Sequence, residues 1–416
     1  MAAPRWKFPI FHSQCRRSAL QIFASFSTCL PSTAENDKEF AFHLQKAARR
    51  RNIKFFNQII SRCAKKGDVD GVKAVFATML DVDIKPNEFS HVGLLNAYGN
   101  AGEAASALAY MEREGVSGVE ACTAVLAGFA SELQLDCTLK LLARMEAGEL
   151  APPNVRTYAH VLRCCIRCSD IEAADRVAAA AVACAEATGD EVNRASLRNL
   201  QLHALAMAGR VDEAMALLEV MDAAATPVRL RPLLLLLAAA ALDGKAETAR
   251  AVLGRARCLA AALPNRADQG SNKHISADEL AAIELPAFAQ AVEEFLSRSK
   301  GAEMLGMPRW HHVGEGLRTS VAGSTGDQSS KEDLKRRFRR GPGKGGLLEL
   351  GAGSGDAALE EASRKPSRSV FAVEVRGDRC QEGALRAALA TPAPTNLLLV
   401  HGDAALVCRA IQAGGA

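Results

Sequence analysis

The sequence predicts an α-solenoid of helix–turn–helix repeats followed by a partial α/β unit. Three observations carry that expectation. Glycine-centred helix pairs recur with a spacing of 35 residues, Gly67 to Gly102 and Gly209 to Gly244. Aromatic residues are only 5% of the chain while alanine and leucine dominate its middle, which favours small-residue helix packing over a β-sandwich. After residue 346 the pattern changes to a short apolar strand, a glycine turn, a helix and a second apolar strand.

The bulk numbers set the frame. A chain of 416 residues, 49% apolar, can build two or three domains with sizeable cores. A net charge of +4 does not by itself point to nucleic acid, so any basic footprint has to be local. Twelve scattered cysteines in so long a chain fit a reduced compartment better than a disulfide scaffold. Cys165 and Cys168 form a lone C-x-x-C without the second pair a structural zinc site needs, so they read as ordinary buried thiols and no metal is expected. No apolar run reaches the ~20 residues of a membrane span. The longest candidate, LRPLLLLLAAAALDG (230–244), carries Arg231 and Asp243 and reads as a buried helix.

Residues 1–34 have no acid and hold Arg5, Lys7, Arg16 and Arg17 among several serines. That is the composition of an organelle transit peptide, mitochondrial in the first place and plastid as the alternative. Residues 35–52 form a helical lead-in.

The repeats occupy 53–263, about six units. FFNQIISRCAKKGDVDGVKAVFATML (55–80) and LRNLQLHALAMAGRVDEAMALLEVMD (197–222) share one plan: an apolar helix, a glycine, a charged turn, and a second amphipathic helix. Glycine suits the turn because it tolerates positive φ, and Asp68 and Asp212 sit where a helix start favours negative charge. Two units are irregular. The one from Val119 follows a shortened neighbour, and the one from Val155 is stretched, with the next expected near Ala195.

Period, helix pattern and the IKPN and APPN junctions resemble pentatricopeptide repeats; the Trp/Tyr/Pro signature of tetratricopeptide repeats is absent. The resemblance implies single-stranded RNA read at about one base per repeat. The residues it assigns to reading are a polar side chain near the start of the first helix and the last residue of the repeat. Asn57 with Asn87 and Thr123 with Asn154 fit. Val92, Ala159 and Leu234 cannot hydrogen-bond a base, and Asn199 is paired with Arg229. Readout along the full array is therefore not expected. The alternative partner is a protein held by the helical surface.

Residues 264–345 read as a linker with one helix and a basic cluster. The helix is expected over 276–299, with Ser276 as N-cap, Glu279 in capping-box spacing, and Pro286 as a kink or break. The cluster is Lys335, Arg336, Arg337, Arg339, Arg340 and Lys344 around Phe338. It suits a phosphate backbone with the aromatic stacking on a base, or equally a solvated cationic linker.

The last segment, 346–416, opens with LLELGAGSGD (347–356). Its glycines alternate, so it is neither the G-x-G-x-x-G of dinucleotide folds nor a P-loop. Glycines at 351, 353 and 355 let backbone approach a ligand closely. Glu349 precedes them, Glu374 ends the next strand, and Asp403 ends a third, NLLLVHGDA (396–404). Three acids at the carboxyl ends of consecutive strands resemble class I S-adenosylmethionine-dependent methyltransferases, a Rossmann-like fold.

Within that class the segment resembles the start of the tRNA (guanine-N7)-methyltransferase family, through Glu349, Gly351, Gly353, Gly355, Pro366, Phe371, Glu374, Arg376, Asn396, Asp403 and Ala404; Ala372 and Val373 depart from its usual Gly-Ile. The resemblance implies S-adenosylmethionine as cofactor, held by Glu349, Gly351, Gly353, Gly355, Glu374, Arg376, Asp403 and Ala404, and guanine in tRNA as substrate. It places the family's catalytic and guanine-binding segment beyond residue 416, so the domain is expected to be incomplete here and the catalytic residues unassigned. The rival expectations are a non-enzymatic RNA-binding or processing factor with a remnant methyltransferase segment, and a methyltransferase acting on another RNA or a protein.

Overall fold

The computed structural model describes residues 34–189, 191–263, 277–298, 308, 310–314, 317–320, 328–343, 345–390 and 393–414. The transit-peptide reading of 1–34, the N-cap role of Ser276, and Lys344 fall outside these residues, except for Ala34 at the start of the first helix. The described chain divides into two compact units, with the division between Ala97 and Tyr98.

Thirteen helices come first: α1 (Ala34–Arg50), α2 (Ile53–Lys66), α3 (Val69–Asp81), α4 (Glu88–Ala101), α5 (Ala104–Glu114), α6 (Val119–Ser131), α7 (Leu135–Glu146), α8 (Val155–Arg167), α9 (Ile171–Thr188), α10 (Glu191–Ala208), α11 (Val211–Ala223), α12 (Leu230–Leu242) and α13 (Ala246–Ala262). From α2 on they form six helix pairs. Capping explains their edges. Asn52, Asp68, Asn154 and Asp170 each accept a backbone N–H in the first turn of the helix they precede.

The turn inside each pair takes a left-handed residue: Gly67, Gly102, Gly209 and Gly244, but also Leu133 (φ 58°) and Ser169 (φ 55°). The glycine rhythm therefore disappears from the third and fourth pairs although the turn persists. The fifth pair begins at Glu191 rather than Ala195, because α9 and α10 run 18 residues each and absorb the extra length as helix.

In the second unit the first helices of successive pairs, α6, α8, α10 and α12, pack on one another, while each second helix packs against its own partner and the helix that follows it. The first helices thus form the inner row. On the outer row, ion pairs step from repeat to repeat: Arg144 to Glu112 (2.8 Å), Lys245 to Asp212 (2.8 Å), and Arg210 to Asp175 and Arg255 to Asp222 at shorter range. Exposed as they are, these set register more than stability. Helix α14 (Ala277–Arg298) packs on α12 and α13 and continues through Pro286 as one helix.

The described parts of the segment read as linker hold regular elements. Strands β1 (His311–Gly314) and β2 (Leu317–Ser320) form a hairpin, and Gln328–Arg340 is a helix, α15. Then follow β3 (Leu347–Leu350), α16 (Asp356–Arg364), β4 (Val370–Glu374), α17 (Gly377–Leu389), β5 (Leu397–His401) and α18 (Ala404–Gly414). The sheet order is β1-β2-β5-β4-β3, with β3, β4 and β5 parallel and the hairpin antiparallel to β5. VFAVE and LLLVH are buried on both faces, as parallel strands between helices require.

One face packs Phe371, Val373, Leu398 and Val400 against Leu334 and Phe338 of α15 and Val407 of α18. The other packs Val370, Ala372, Leu397 and Leu399 against Ala358 and Ala362 of α16 and Ala384 and Ala387 of α17. Leu334 and Phe338, one turn apart, are what turn a cationic stretch into a helix. Phe338 is 1% exposed and belongs to the core, so it is not available to stack on a base.

Candidate functional sites on the inner row and at the glycine turn

The two reading positions of the first repeat meet in the first unit. Asn57 Nδ2 donates to Asn87 Oδ1 (3.4 Å), and Ser90 Oγ donates to Asn57 Oδ1 (2.7 Å) and lies 2.9 Å from Asn87 Oδ1. Asn87 also caps α4, accepting the Ser90 N–H at 3.0 Å. Asn57 is half-buried and Asn87 exposed.

The second expected pair has the same plan. Thr123 and Thr157 share a 2.8 Å hydroxyl contact, and Asn154 Oδ1 accepts from the Thr157 N–H (2.9 Å) and hydroxyl (3.0 Å). Here Thr123 is only 3% exposed, so its hydroxyl is turned to Thr157 rather than to solvent. The bridging residues, Ser90 and Thr157, stand three positions after the repeat-ending asparagine. Sequence reasoning missed them; the capping-box spacing Asn-x-x-Ser/Thr was the available signal.

Further along the inner row the surface is covered. Helix α17 packs on α8, α10 and α12, the first helices of repeats four to six. Its start needs Gly377, where a Cβ would lie 2.8 Å from Ser169 Cβ and closer still to Ser169 Oγ. Gln381 donates to the Met207 carbonyl (3.3 Å) and accepts from the Trp310 indole (2.6 Å). Glu382, 6% exposed, pairs with Arg231 of α12 and with Arg379 (3.2 Å) and Arg386 (3.0 Å). Arg386 reaches Glu284 of α14 at 2.6 Å and Asp356 at 2.6 Å. This contact explains α12, whose residues other than Arg231 are all buried.

At the glycine turn, Gly351, Gly353 and Gly355 all have positive φ (71°, 58° and 74°). A Cβ on Gly353 would meet nothing within 4 Å, so that glycine serves conformation. Glu374 holds the turn in place, accepting from the Gly353 N–H (2.8 Å) and the Arg376 N–H (2.9 Å). Arg376 gives only its backbone to this site; its guanidinium turns away to Asp378 at 2.6 Å. Asp403 caps α18 through the N–H groups of Ala405 (2.8 Å) and Leu406 (3.1 Å), with Ala404 as that helix's first residue. Asn396 clamps the end of α16 through the carbonyls of Ala362, Lys365 and Arg368.

Glu349 differs from the other acids. Its Oε2 is buried without a hydrogen-bond partner, and burial raises its pKa. A buried carboxylate oxygen with unspent capacity beside an open glycine turn fits a cationic group of a ligand. Exposed Leu350 (47%), Val375 (47%) and Leu406 (38%) each lie near one of the acids at the carboxyl-end edge of the sheet, and sequence reasoning missed them. Glu349, the glycine turn, Glu374 and Asp403 thus share the carboxyl-end edge of the sheet, and the Arg376 guanidinium points to Asp378 instead.

The basic cluster lies elsewhere. Arg336, Arg339 and Arg340 are exposed on α15, and Arg337 donates to the Thr395 carbonyl (2.9 Å). The sheet stands between α15 and the inner row, so cluster and covered repeats do not form one continuous strip. Of the two C-x-x-C thiols Cys165 is buried and Cys168 half-buried, and among the described residues no group of His, Cys, Asp or Glu could hold a metal ion. No helix of the described residues is long and apolar enough to cross a membrane.

This geometry defines a class: a helical-repeat solenoid whose inner row is partly open and partly occupied by an α/β unit. Over residues 44–224 the repeats match pentatricopeptide-repeat models. Residues 44–200 match the family model for the pentacotripeptide-repeat region of PRORP, and residues 202–224 match the PPR repeat model. Among solved structures the chain is similar to the pentatricopeptide repeat protein PPR10 from maize, at 16% identity, over 60% of this chain and 38% of that one, with TM-score 0.36. It is also similar to PPR10 in complex with an 18-nt psaJ RNA element, at 14% identity, over 68% and 44%, with TM-score 0.33. The chain spans less than half the length of these structures. No curated protein matches it.

Proposed function

We propose that this protein binds single-stranded RNA through its repeats, as an organellar RNA-binding or processing factor. The observation that carries this reading is the Asn57–Asn87–Ser90 cluster on a pentatricopeptide-repeat array. Two amide side chains at the family's reading positions stand side by side, Asn57 Nδ2 3.4 Å from Asn87 Oδ1, with Asn87 exposed. Amide donors and acceptors in that arrangement read a base edge. Repeats of this kind address about one base each, and the expected contact is short, since Thr123, Ala159, Asn199 and Leu234 are buried. Filter binding of the full chain to single-stranded RNA tests it: binding that weakens steeply with salt is expected, and no binding would turn the array into a protein-interaction surface.

A second reading is favoured by the orphaned Glu349 oxygen. The α/β unit is then an S-adenosylmethionine site, with guanine in tRNA as the methyl acceptor by family resemblance. Glu349 would hold the cofactor's cationic amino-acid end, the glycine turn would admit its backbone-close parts, and Glu374 and Asp403 would offer their remaining lone pairs to hydroxyl and amino groups. When bound, the cofactor supplies an electrophilic methyl group. The protein's own contribution is positioning: N7 of guanine already carries a lone pair, so no residue here needs to act as a base. Calorimetric titration of S-adenosylmethionine into the full chain tests this, with Asp403→Asn as the informative variant because Glu374 also holds the turn together. Absence of heat would remove the cofactor site and leave the RNA reading intact.

A further inference from the structure

The inner row of the solenoid has two claimants. In repeats four to six it is covered by α17, through Gly377 against Ser169, Gln381 against Met207, and Glu382 against Arg231. The contact is of a kind that can open. Its polar part is charged and branched: Glu382 is shared by Arg231, Arg379 and Arg386, so it keeps two cations when the array moves away. On the other side, Arg231 is the one residue of α12 that is not buried among apolar neighbours, and it is a cation on the face that an RNA backbone would approach. An acidic side chain laid on that cation occupies it as a phosphate would.

We propose that α17 is an internal competitor of RNA: docked, it covers repeats four to six, and RNA laid over those repeats displaces it. The proposal rests on the RNA reading above. It also ties the two parts of the second unit together, because α17 starts three residues after Glu374. Displacing it would disturb the Glu374–Gly353 bond that holds the glycine turn, so long RNA and an ordered turn exclude each other.

The test uses the full chain, a single-stranded RNA of about 12 nucleotides, twice what six repeats address at one base each, and two variants that loosen the contact. Gly377→Val forces a side chain into Ser169. Glu382→Gln removes the competing carboxylate and keeps Arg231 for the RNA backbone, so it carries the test should the valine variant fail to fold. Both variants are expected to bind the RNA on the order of tenfold more tightly than wild type, the gain of one or two further backbone or stacking contacts. RNA is also expected to speed amide exchange across 377–389 in the wild-type protein. Equal affinity in all three proteins, with exchange across 377–389 unchanged, overturns the competition and leaves RNA binding standing. Absence of binding in all three overturns both.

Discussion

Asn57 and Asn199 occupy the same position in the first helix of their repeats and have opposite fates. Asn57 spends one acceptor on Ser90 and makes one long bond to Asn87, and it stays half-exposed. Asn199 is 5% exposed and fully committed: Nδ2 donates to the carbonyls of Ala195 (2.9 Å) and Pro227 (2.8 Å), and Oδ1 accepts the Arg229 N–H at 2.7 Å. It splices the end of one repeat onto the start of the next. A polar residue at a reading position is therefore a reader only if its hydrogen-bond capacity is unspent. The same distinction separates Glu349, with an unpartnered oxygen, from Glu374, whose two oxygens each hold a backbone N–H.

The largest effect should come from breaking the committed asparagine. Asn199→Leu leaves buried backbone groups at the α11–α12 junction without partners, which costs about 3 kcal/mol or more. Urea unfolding checks it. RNA affinity of the fraction that stays folded should be unchanged; a large loss of affinity with little loss of stability would make Asn199 a reader after all.

Acid should loosen the covered half of the inner row before the open half. His203 of α10 and His401 at the end of β5 are both lowered from 6.5 to about 4, chiefly by burial, with Arg231 and Arg376 adding to the effect at His203 against Asp378 and Glu382, and Arg318 at His401. The unfolded chain binds these protons at higher pH than the native one. Their contribution is thus intact above pH 6.5 and lost as pH falls from 6.5 towards 4, by up to about 3 kcal/mol in total after discounting for partial exposure. Unfolding followed at pH 7 and pH 5 measures it, and flat stability across that range would contradict the buried, neutral assignment.

The complementary variant is Asn57→Ala. It removes no bond to buried backbone, so stability should change by less than about 1 kcal/mol. RNA affinity should fall about tenfold, as expected for one base contact. If the two asparagine variants behave alike, the distinction drawn between them fails.

How much of this was legible in the sequence follows from the same physics. Helix periodicity and turn glycines revealed the repeats because every pair needs one left-handed turn residue. They dimmed where Leu133 and Ser169 adopt that conformation at a cost, and where α9 and α10 lengthened by a turn. The strand-end acids and glycine turn were visible because they are local. The docking of α17 was not: Gly377, Gln381 and Glu382 look like ordinary residues of an amphipathic helix, and their partners Ser169, Met207 and Arg231 are 150 or more residues away in the chain. The hairpin and α15 were hidden by a composition that is charged overall, with only Leu317, Leu334 and Phe338 carrying them into the core.

The smallest expected effect is the most discriminating for the glycine turn. Glu349→Gln removes a charge whose burial a backbone hydrogen bond from Ala358 only partly offsets; because the folded protein raises this pKa, the carboxylate destabilises the native state increasingly as pH rises above 4.5. The neutral variant should therefore melt slightly higher at pH 7, by about 1 kcal/mol of stability at most, while losing S-adenosylmethionine binding. Asp403→Asn, at an acid that is exposed and already spends one oxygen on its helix cap, should give no such stabilisation. A residue kept for packing alone would lose stability when changed; one kept for a cationic ligand gains stability and loses the ligand. Melting the variant with and without S-adenosylmethionine separates the two, and a lower melting temperature without ligand would show that Glu349 is paired in solution and is not a binding group in waiting.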